Sequence, residues 1–273
     1  MNVLSLFDGM SCGQLALKKL GIKIDNYFAS EIDKYAISVT KYNFPKTIHI
    51  GSVVDVKASQ LPTIHLLIGG SPCQGFSFAG KQLNFDDPRS KLFFEYVRLL
   101  KELKPKYFLL ENVVMKKEYQ DIITKHLGVE PIMINSSLIS SQNRKRLYWT
   151  NIPNIKEPED KELTFGDIRE YDVEDNFYYS EQAMRWIHSH EKRKNKKLRI
   201  WTDDTKVQML EASMHKKYSS QRFFGIEDKK GLRYITPLEC ERAQTVPDNY
   251  TLMSSKDKKC SNTQRYRMLG NGW

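Results

Sequence analysis

The chain has 273 residues, 40% of them hydrophobic, enough for one large domain or a domain with a smaller appendage built on a real core. No run approaches the roughly 18 apolar residues a membrane span requires, and Met1-Asn2-Val3-Leu4 runs into a strand-like segment rather than a leader peptide, so a cytoplasmic protein is expected. A net charge of +10 favours a polyanionic partner, since clustered Lys and Arg release counterions from a phosphate backbone, although a merely solvated surface has the same composition.

In chain order, Val3–Phe7 is a predicted strand ending in Asp8-Gly9. Gly13–Leu20 is a predicted helix with apolar positions at Leu15, Leu17 and Leu20, stopped by Gly21. Tyr27–Ser30 reads as a second strand and Lys34–Tyr42 as a second helix. Ile64–Ile68 is a buried-strand run closed by Gly69-Gly70, Leu92–Leu103 has helical spacing ahead of Pro105, and Tyr107–Leu110 is another strand. Strands alternating with helices over the first 150 residues predict an α/β fold with a doubly wound, mostly parallel sheet. In such sheets ligands sit beyond the carboxyl ends of the strands. That rim carries Asp8 to Gly13, Glu31, Ser52-Val53, Ser71-Pro72-Cys73 and Glu111-Asn112.

From about Ile155 the texture changes: charges of both signs are dense, apolar periodicity weakens, and Pro153 and Pro158 mark the boundary. Residues 191–199 hold six basic side chains, Lys192, Arg193, Lys194, Lys196, Lys197 and Arg199, with Tyr178, Tyr179, Trp186 and Trp201 nearby. A solvated helix face has this composition, and so does a patch contacting phosphates and bases. The four cysteines, Cys12, Cys73, Cys240 and Cys260, form no C-x-x-C pair and no disulfide framework. His188 and His190 have no cysteine near them in sequence, and no metal site is expected.

Three places carry chemistry. Cys73 lies in Gly-Gly-Ser-Pro-Cys-Gln-Gly directly after a buried strand, which offers its thiol at the sheet rim; elsewhere a lone cysteine is usually a small core hydrophobe. Glu111 follows the strand Tyr107–Leu110 and is either a helix cap or a polar group in the cleft. In the run Gln142 to Arg146, an extended backbone would put Gln142, Arg144 and Arg146 on one face and Asn143 and Lys145 on the other. Two guanidiniums on one face repel unless an anionic or polar ligand joins them; an edge strand with solvated charges is the alternative.

Taken together these stretches resemble the DNA (cytosine-5)-methyltransferase family over the whole chain. The matching segments, in family order, are Leu6-Phe7-Asp8-Gly9 with Gly13, Pro72 to Ser77, Glu111-Asn112-Val113, Gln142-x-Arg144-x-Arg146, Arg233 to Arg242, and Leu269 to Trp273. The style is bacterial or phage, and Ser5 to Gly9 with Leu92 to Glu95 also resembles animal de novo methyltransferase catalytic domains. The resemblance implies a Rossmann-like catalytic domain from residues 1–154 plus about 234–273, and a small target-recognition domain over 155–233. It also implies a further strand and helix beyond Trp273.

The implied mechanism is attack of Cys73 on C6 of a flipped-out cytosine, with Glu111 acting at N3. Arg146 would hold the base, with Arg144 and Gln142 on the same face, and a methyl group would pass to C5 from S-adenosylmethionine, leaving S-adenosylhomocysteine. For the cofactor, Phe7 would pack on the adenine, and Gly9, Ser11 and Gly13 would allow close backbone approach. Glu31 would bind the ribose hydroxyls, Asn271 and Gly272 would close the pocket, and Asp8, Met10, Ile32, Ser52, Val53, Gly70, Pro72, Leu92 and Trp273 would complete it. Ser52 stands where the family has an Asp that contacts the adenine. Gly75 to about Arg89 would be a loop closing over the nucleic acid. Gln74, Gly75, Ser77, Arg89, Lys194, Lys196 and Lys197 would then contact DNA. The partners implied are double-stranded DNA and a cognate restriction endonuclease, for a monomeric enzyme. A tRNA cytosine-5 methyltransferase of the same fold and a catalytically impaired DNA-binding subunit are the alternatives.

Overall fold

The computed structural model describes residues 1–72, 88–194, 197–216 and 224–273, without the side chains of 88–90 and 194. Strands and helices alternate through the first half: β1 (Asn2–Leu6), α1 (Cys12–Lys19), β2 (Asn26–Ser30), α2 (Lys34–Asn43), β3 (Ile48–Gly51), β4 (Leu66–Gly70), α3 (Pro88–Leu103), β5 (Tyr107–Val113), α4 (Lys117–Leu127), β6 (Ile132–Asn135), β7 (Gln142–Asn143) and β8 (Lys145–Thr150). Seven of these strands form one sheet in the order β3-β2-β1-β4-β5-β8-β6. The first five are parallel, and β8 is antiparallel to both of its neighbours.

Alternate side chains of the central strands enter different cores, as the twofold periodicity of a strand requires. Leu4, Leu6, Leu67, Phe108 and Leu110 pack with Phe93, Tyr96 and Leu99 of α3 and with Ile123 of α4. Val3, Leu66 and Ile68 pack on the opposite side with Leu17 of α1, Tyr27 and Trp273. The sheet is therefore doubly wound. Its order reverses between β1 and β4, which opens a crevice at their carboxyl ends.

One sequence expectation changes here and another takes its expected form. Glu111 does not follow β5 but lies inside it, because β8 pairs along residues 109–113 and extends the strand past Leu110. The alternation in Gln142 to Arg146 takes the expected form: Gln142, Arg144 and Arg146 are buried, and Asn143 and Lys145 are exposed.

The second half holds α5 (Glu181–Lys194), β9 (Arg199–Trp201), β10 (Val207–Gln208), β11 (Phe224–Asp228) and β12 (Gly231–Arg233), and β12-β11-β9 form a small sheet. Next come α6 (Pro237–Ala243), a hairpin of β13 (Met253–Ser255) and β14 (Lys258–Lys259), and α7 (Asn262–Asn271). Phe165, Trp201, Phe224 and Tyr234 share one apolar cluster with Leu269 of α7, Met10 and Leu15 near the start of the chain, and Val39 of α2. Trp201 stacks on Phe224 with ring centroids 3.9 Å apart, and the Tyr179 hydroxyl donates to the Phe224 carbonyl at 2.9 Å. Trp201 is buried in this shared cluster and Tyr179 packs half-buried against it, which leaves both on the core rather than displayed beside the basic run. The Arg233-to-Arg242 motif is a buried frame. Arg233 meets Glu239 and Asp228 at 2.7 Å each, and Thr236 and Glu239 form a capping box that starts α6.

Candidate active site

A pocket of about 290 Å³ lies beyond the carboxyl ends of β1, β2, β4 and β5. Phe7 and Gly9 enter it from the turn after β1, Glu31 from the end of β2, Gly70, Ser71 and Pro72 from β4, and Glu111, Asn112 and Val113 from β5. Arg144 and Arg146 form another wall, and Gly270, Asn271 and Trp273 close it from the far end of the chain. Cys73, the residue after Pro72, lies outside the described residues, as do Gln74, Gly75, Ser77 and Lys196. Arg89 belongs to α3 and Lys194 to α5 without described side chains, and Lys197 is exposed.

Glu111 and Arg146 form the charged floor. Arg146 Nε is 2.7 Å from Glu111 Oε1, and the two side chains are 9% and 8% exposed. The Nε–H is not aimed at that oxygen, so the contact is a close ion pair rather than an aligned hydrogen bond. Burial pushes the Glu111 carboxyl up from its ordinary range, and the Arg146 and Arg144 charges hold it back. Arg144 is lowered to about 10 by burial and by the neighbouring Arg146 charge. It donates to the carbonyls of Leu210 at 3.2 Å and Gly272 at 2.6 Å. A buried acid whose carboxyl is pushed up by burial, with cations beside it, suits protonation of a ring nitrogen.

The opposite end of the pocket fits an adenosyl ligand. Phe7 has a left-handed backbone, φ 56°, which turns its carbonyl to the Trp273 indole N–H at 2.9 Å. Gly9, φ 58°, has open space where a side chain would stand, so backbone can approach a ligand there. Glu31 Oε1 accepts from the amides of Ile32 and Asp33 at 2.7 and 2.8 Å, and Oε2 accepts from Gly9 at 2.8 Å. Oε2 keeps a lone pair for a hydroxyl donor such as a ribose.

Several expected site residues stand elsewhere. Gln142 is fully buried off the pocket: its side chain donates to the Ala243 carbonyl at 3.2 Å and accepts from the Leu210 amide at 2.9 Å. Gly13 serves packing rather than ligand approach, because a Cβ there would stand 2.6 Å from Ile68 Cδ1. Asp8 and Ser11 are buried within the turn, where the Ser11 hydroxyl and the Tyr27 hydroxyl both donate to the Asp8 carboxylate. Met10 and Val53 are core residues, Leu92 packs beside the core, and the Ile32 side chain is 76% exposed. Ser52 precedes the short turn Val53–Asp55 without capping it, away from the pocket wall, and Gly272 is buried against Met10. Asn112 and Ser71 lie on the rim the sequence pointed to, but the sequence assigned neither a role. Asn112 Nδ2 donates to Ser71 Oγ at 3.0 Å and so holds the turn that leads to Pro72 and Cys73. The signal was present in the Glu-Asn-Val motif, but an Asn beside a Glu does not announce which of them positions a neighbouring strand.

A parallel sheet reversing between β1 and β4, with a buried acid and an adenosyl-sized pocket on its rim, defines a Rossmann-like methyltransferase architecture. The profile of the C-5 cytosine-specific DNA methylases matches residues 1–272, and the chain belongs to that family. It is 32% identical over 298 aligned positions to the type II methyltransferase M1.ScrFI of Lactococcus lactis subsp. cremoris, covering 99% of this chain and 74% of that protein. The match to the orphan methyltransferase M.SPRI of Bacillus phage SPR is 36% identical and covers 56% of this chain but 38% of that protein. Among solved structures, the methyltransferase EhMeth of Entamoeba histolytica superposes with a TM-score of 0.80 at 18% identity, covering 100% of this chain and 93% of that one. A DNMT2 variant from Spodoptera frugiperda does so with 0.74 at 21% identity, covering 99% and 95%. These two likenesses show the fold. Family membership makes the chain an S-adenosylmethionine-dependent cytosine-C5 methyltransferase with a nucleic-acid substrate and S-adenosylhomocysteine as product.

Proposed function

We propose that the chain methylates C5 of a flipped-out cytosine through a covalent Cys73–C6 adduct. The observation that carries this reading is the buried Glu111–Arg146 pair in one pocket with Phe7, Gly9 and Glu31, its wall ending at Pro72, one residue before Cys73. C5 of cytosine is too weak a nucleophile to take a methyl group unaided. Addition of the Cys73 thiolate to C6, with a proton passing from Glu111 to N3, converts the ring to an enamine whose electron density lies on C5. Arg146 sits where it would hold the base, and Arg144 ties the wall behind it to residues 210 and 272. Phe7, Gly9 and Glu31 would hold S-adenosylmethionine, which when bound would supply the methyl group as an electrophile. Loss of the C5 proton to a base, return of the N3 proton to Glu111 and departure of the Cys73 thiolate then restore the neutral aromatic ring.

For the nucleic acid, duplex DNA is one reading, supported by the type II and phage relatives and by the net charge of +10. A tRNA cytosine is the second, favoured by superposition over the whole chain on DNMT2-type proteins from two organisms, which span 95% and 94% of their own length in the match. A monomer working in the cytoplasm, with a cognate restriction endonuclease in the DNA case, completes the reading. Transfer of labelled methyl onto duplex DNA and onto tRNA separates the two. Incorporation into one substrate selects that reading, and incorporation into neither leaves a nucleic-acid-binding subunit. Cys73→Ala should abolish transfer and retain binding, and activity surviving in that variant would overturn the covalent mechanism.

A further inference from the structure

The wall that carries the two arginines is gripped from outside by a piece of the second half of the chain. β10 pairs in parallel with β7, Val207 against Gln142 and Gln208 against Asn143, and the Val207 amide donates to Ser141 at 2.8 Å. The next two residues are held by the same face of side chains. Leu210 gives its amide to Gln142 and its carbonyl to Arg144, and Met209 Sδ lies 3.3 Å from the NH1 nitrogen of Arg146. Behind them, a Cβ on Gly270 of α7 would stand 2.1 Å from the Ala212 nitrogen, so the strap is wedged against α7. Met209 is 38% exposed and touches Arg146, which lines the pocket. Among the described residues, its sulfur and the Lys145 carbonyl, 2.8 Å away, are the acceptors that fix the NH1 end of Arg146, while the Nε edge rests on Glu111.

We propose that Met209 is a positioning residue for methyl transfer: its thioether sets the rotation of the Arg146 guanidinium against Glu111, and its strap couples the recognition segment to the acid in the pocket. The proposal rests on the cytosine-methylation reading of the pocket. Among the described residues, Glu111 is faced by Arg146 and Tyr148 of β8 and by Arg144, and of these Arg146 is the one that meets a side chain of the strap. A thioether is a weak acceptor, so a modest effect is expected. Freeing Arg146 weakens the opposite charge beside Glu111, and the Glu111 titration then moves upward.

The test compares Met209→Ala, Met209→Leu, which keeps bulk without a good acceptor, and Met209→Gln, which keeps an acceptor at similar length. Carbon-13 NMR titration of labelled glutamates, with Glu111 assigned from Glu111→Gln, reads the pairing without any activity. Methyl transfer is measured in parallel. The Ala and Leu variants should show Glu111 titrating about half a unit higher and kcat about fivefold lower, with KM for S-adenosylmethionine unchanged. The Gln variant should restore both. An unmoved Glu111 titration in the Ala and Leu variants, or an equal displacement in the Gln variant, overturns the role of Met209. A wild-type protein that transfers no methyl while its Glu111 titration still follows residue 209 overturns the methylation reading alone.

Discussion

Asp8 illustrates how a motif residue can serve the turn rather than the ligand. It is buried after β1, accepts from the Tyr27 hydroxyl at 2.7 Å and from Ser11, and its pKa is pushed up to about 6 from 3.8 by burial, against the pull of those hydrogen bonds. A carboxyl raised in the folded state contributes stability that is complete below pH 3.8 and is lost as pH rises through about 6. The shift corresponds to about 3 kcal/mol at most. Asp8→Asn carries no such dependence. The stability of the wild type relative to Asp8→Asn should therefore fall by up to about 3 kcal/mol between pH 4 and pH 7, read from denaturant midpoints. A pH-independent difference would mean that Asp8 ionises as freely in the fold as in the open chain.

At the level of elements, the motif glycines are spacers between packed pieces. A Cβ on Gly13 of α1 would meet the end of the Ile68 side chain at 2.6 Å, and that side chain can yield by a small rotation. A Cβ on Gly270 of α7 would meet backbone at 2.1 Å, on Ala212 and Glu211, which cannot yield without moving the strap. Overpacking of this kind costs about 1–3 kcal/mol. Gly13→Ala is expected near the low end and Gly270→Ala at or above the high end, by chemical denaturation. Because the strap also carries Met209 and Leu210, Gly270→Ala should lower methyl transfer more than its stability loss explains. Equal destabilisation by the two substitutions would argue that the 211–212 backbone moves freely.

For the whole molecule, the charge of +10 is spread over both halves, but α5 and the residues after it concentrate exposed cations at Lys192, Arg193 and Lys197. Of the aromatics near them, Trp201 is in the core and Trp186 stacks on His190 with ring centroids 4.9 Å apart. We propose that this patch contacts nucleic acid through charge on phosphates rather than by stacking on bases. Replacing Lys192, Arg193 and Lys197 by Gln should lower the slope of log K against log salt by about 2–3 for nucleic-acid binding, and weaken binding to different sequences about equally. An unchanged slope would place the phosphate contacts on another face.

The alternation of strands and helices from β1 to β5 apart from β3, the rim on which the site lies, and the shared face of Gln142, Arg144 and Arg146 were legible in the sequence. Each follows from periods of two or 3.6 residues, which are local and survive in a one-dimensional pattern. What these residues do was decided by tertiary structure. Glu111 became part of β5 only because β8 pairs beside it, and Gln142 became a clamp rather than a catalytic group only because Leu210 reaches it. Arg144 is held by partners 66 and 128 residues away, and Met209 meets Arg146 across 63. Hydrogen bonds and ion pairs at such separations leave no period in the sequence, so the residue types at the site were readable and their partners were not.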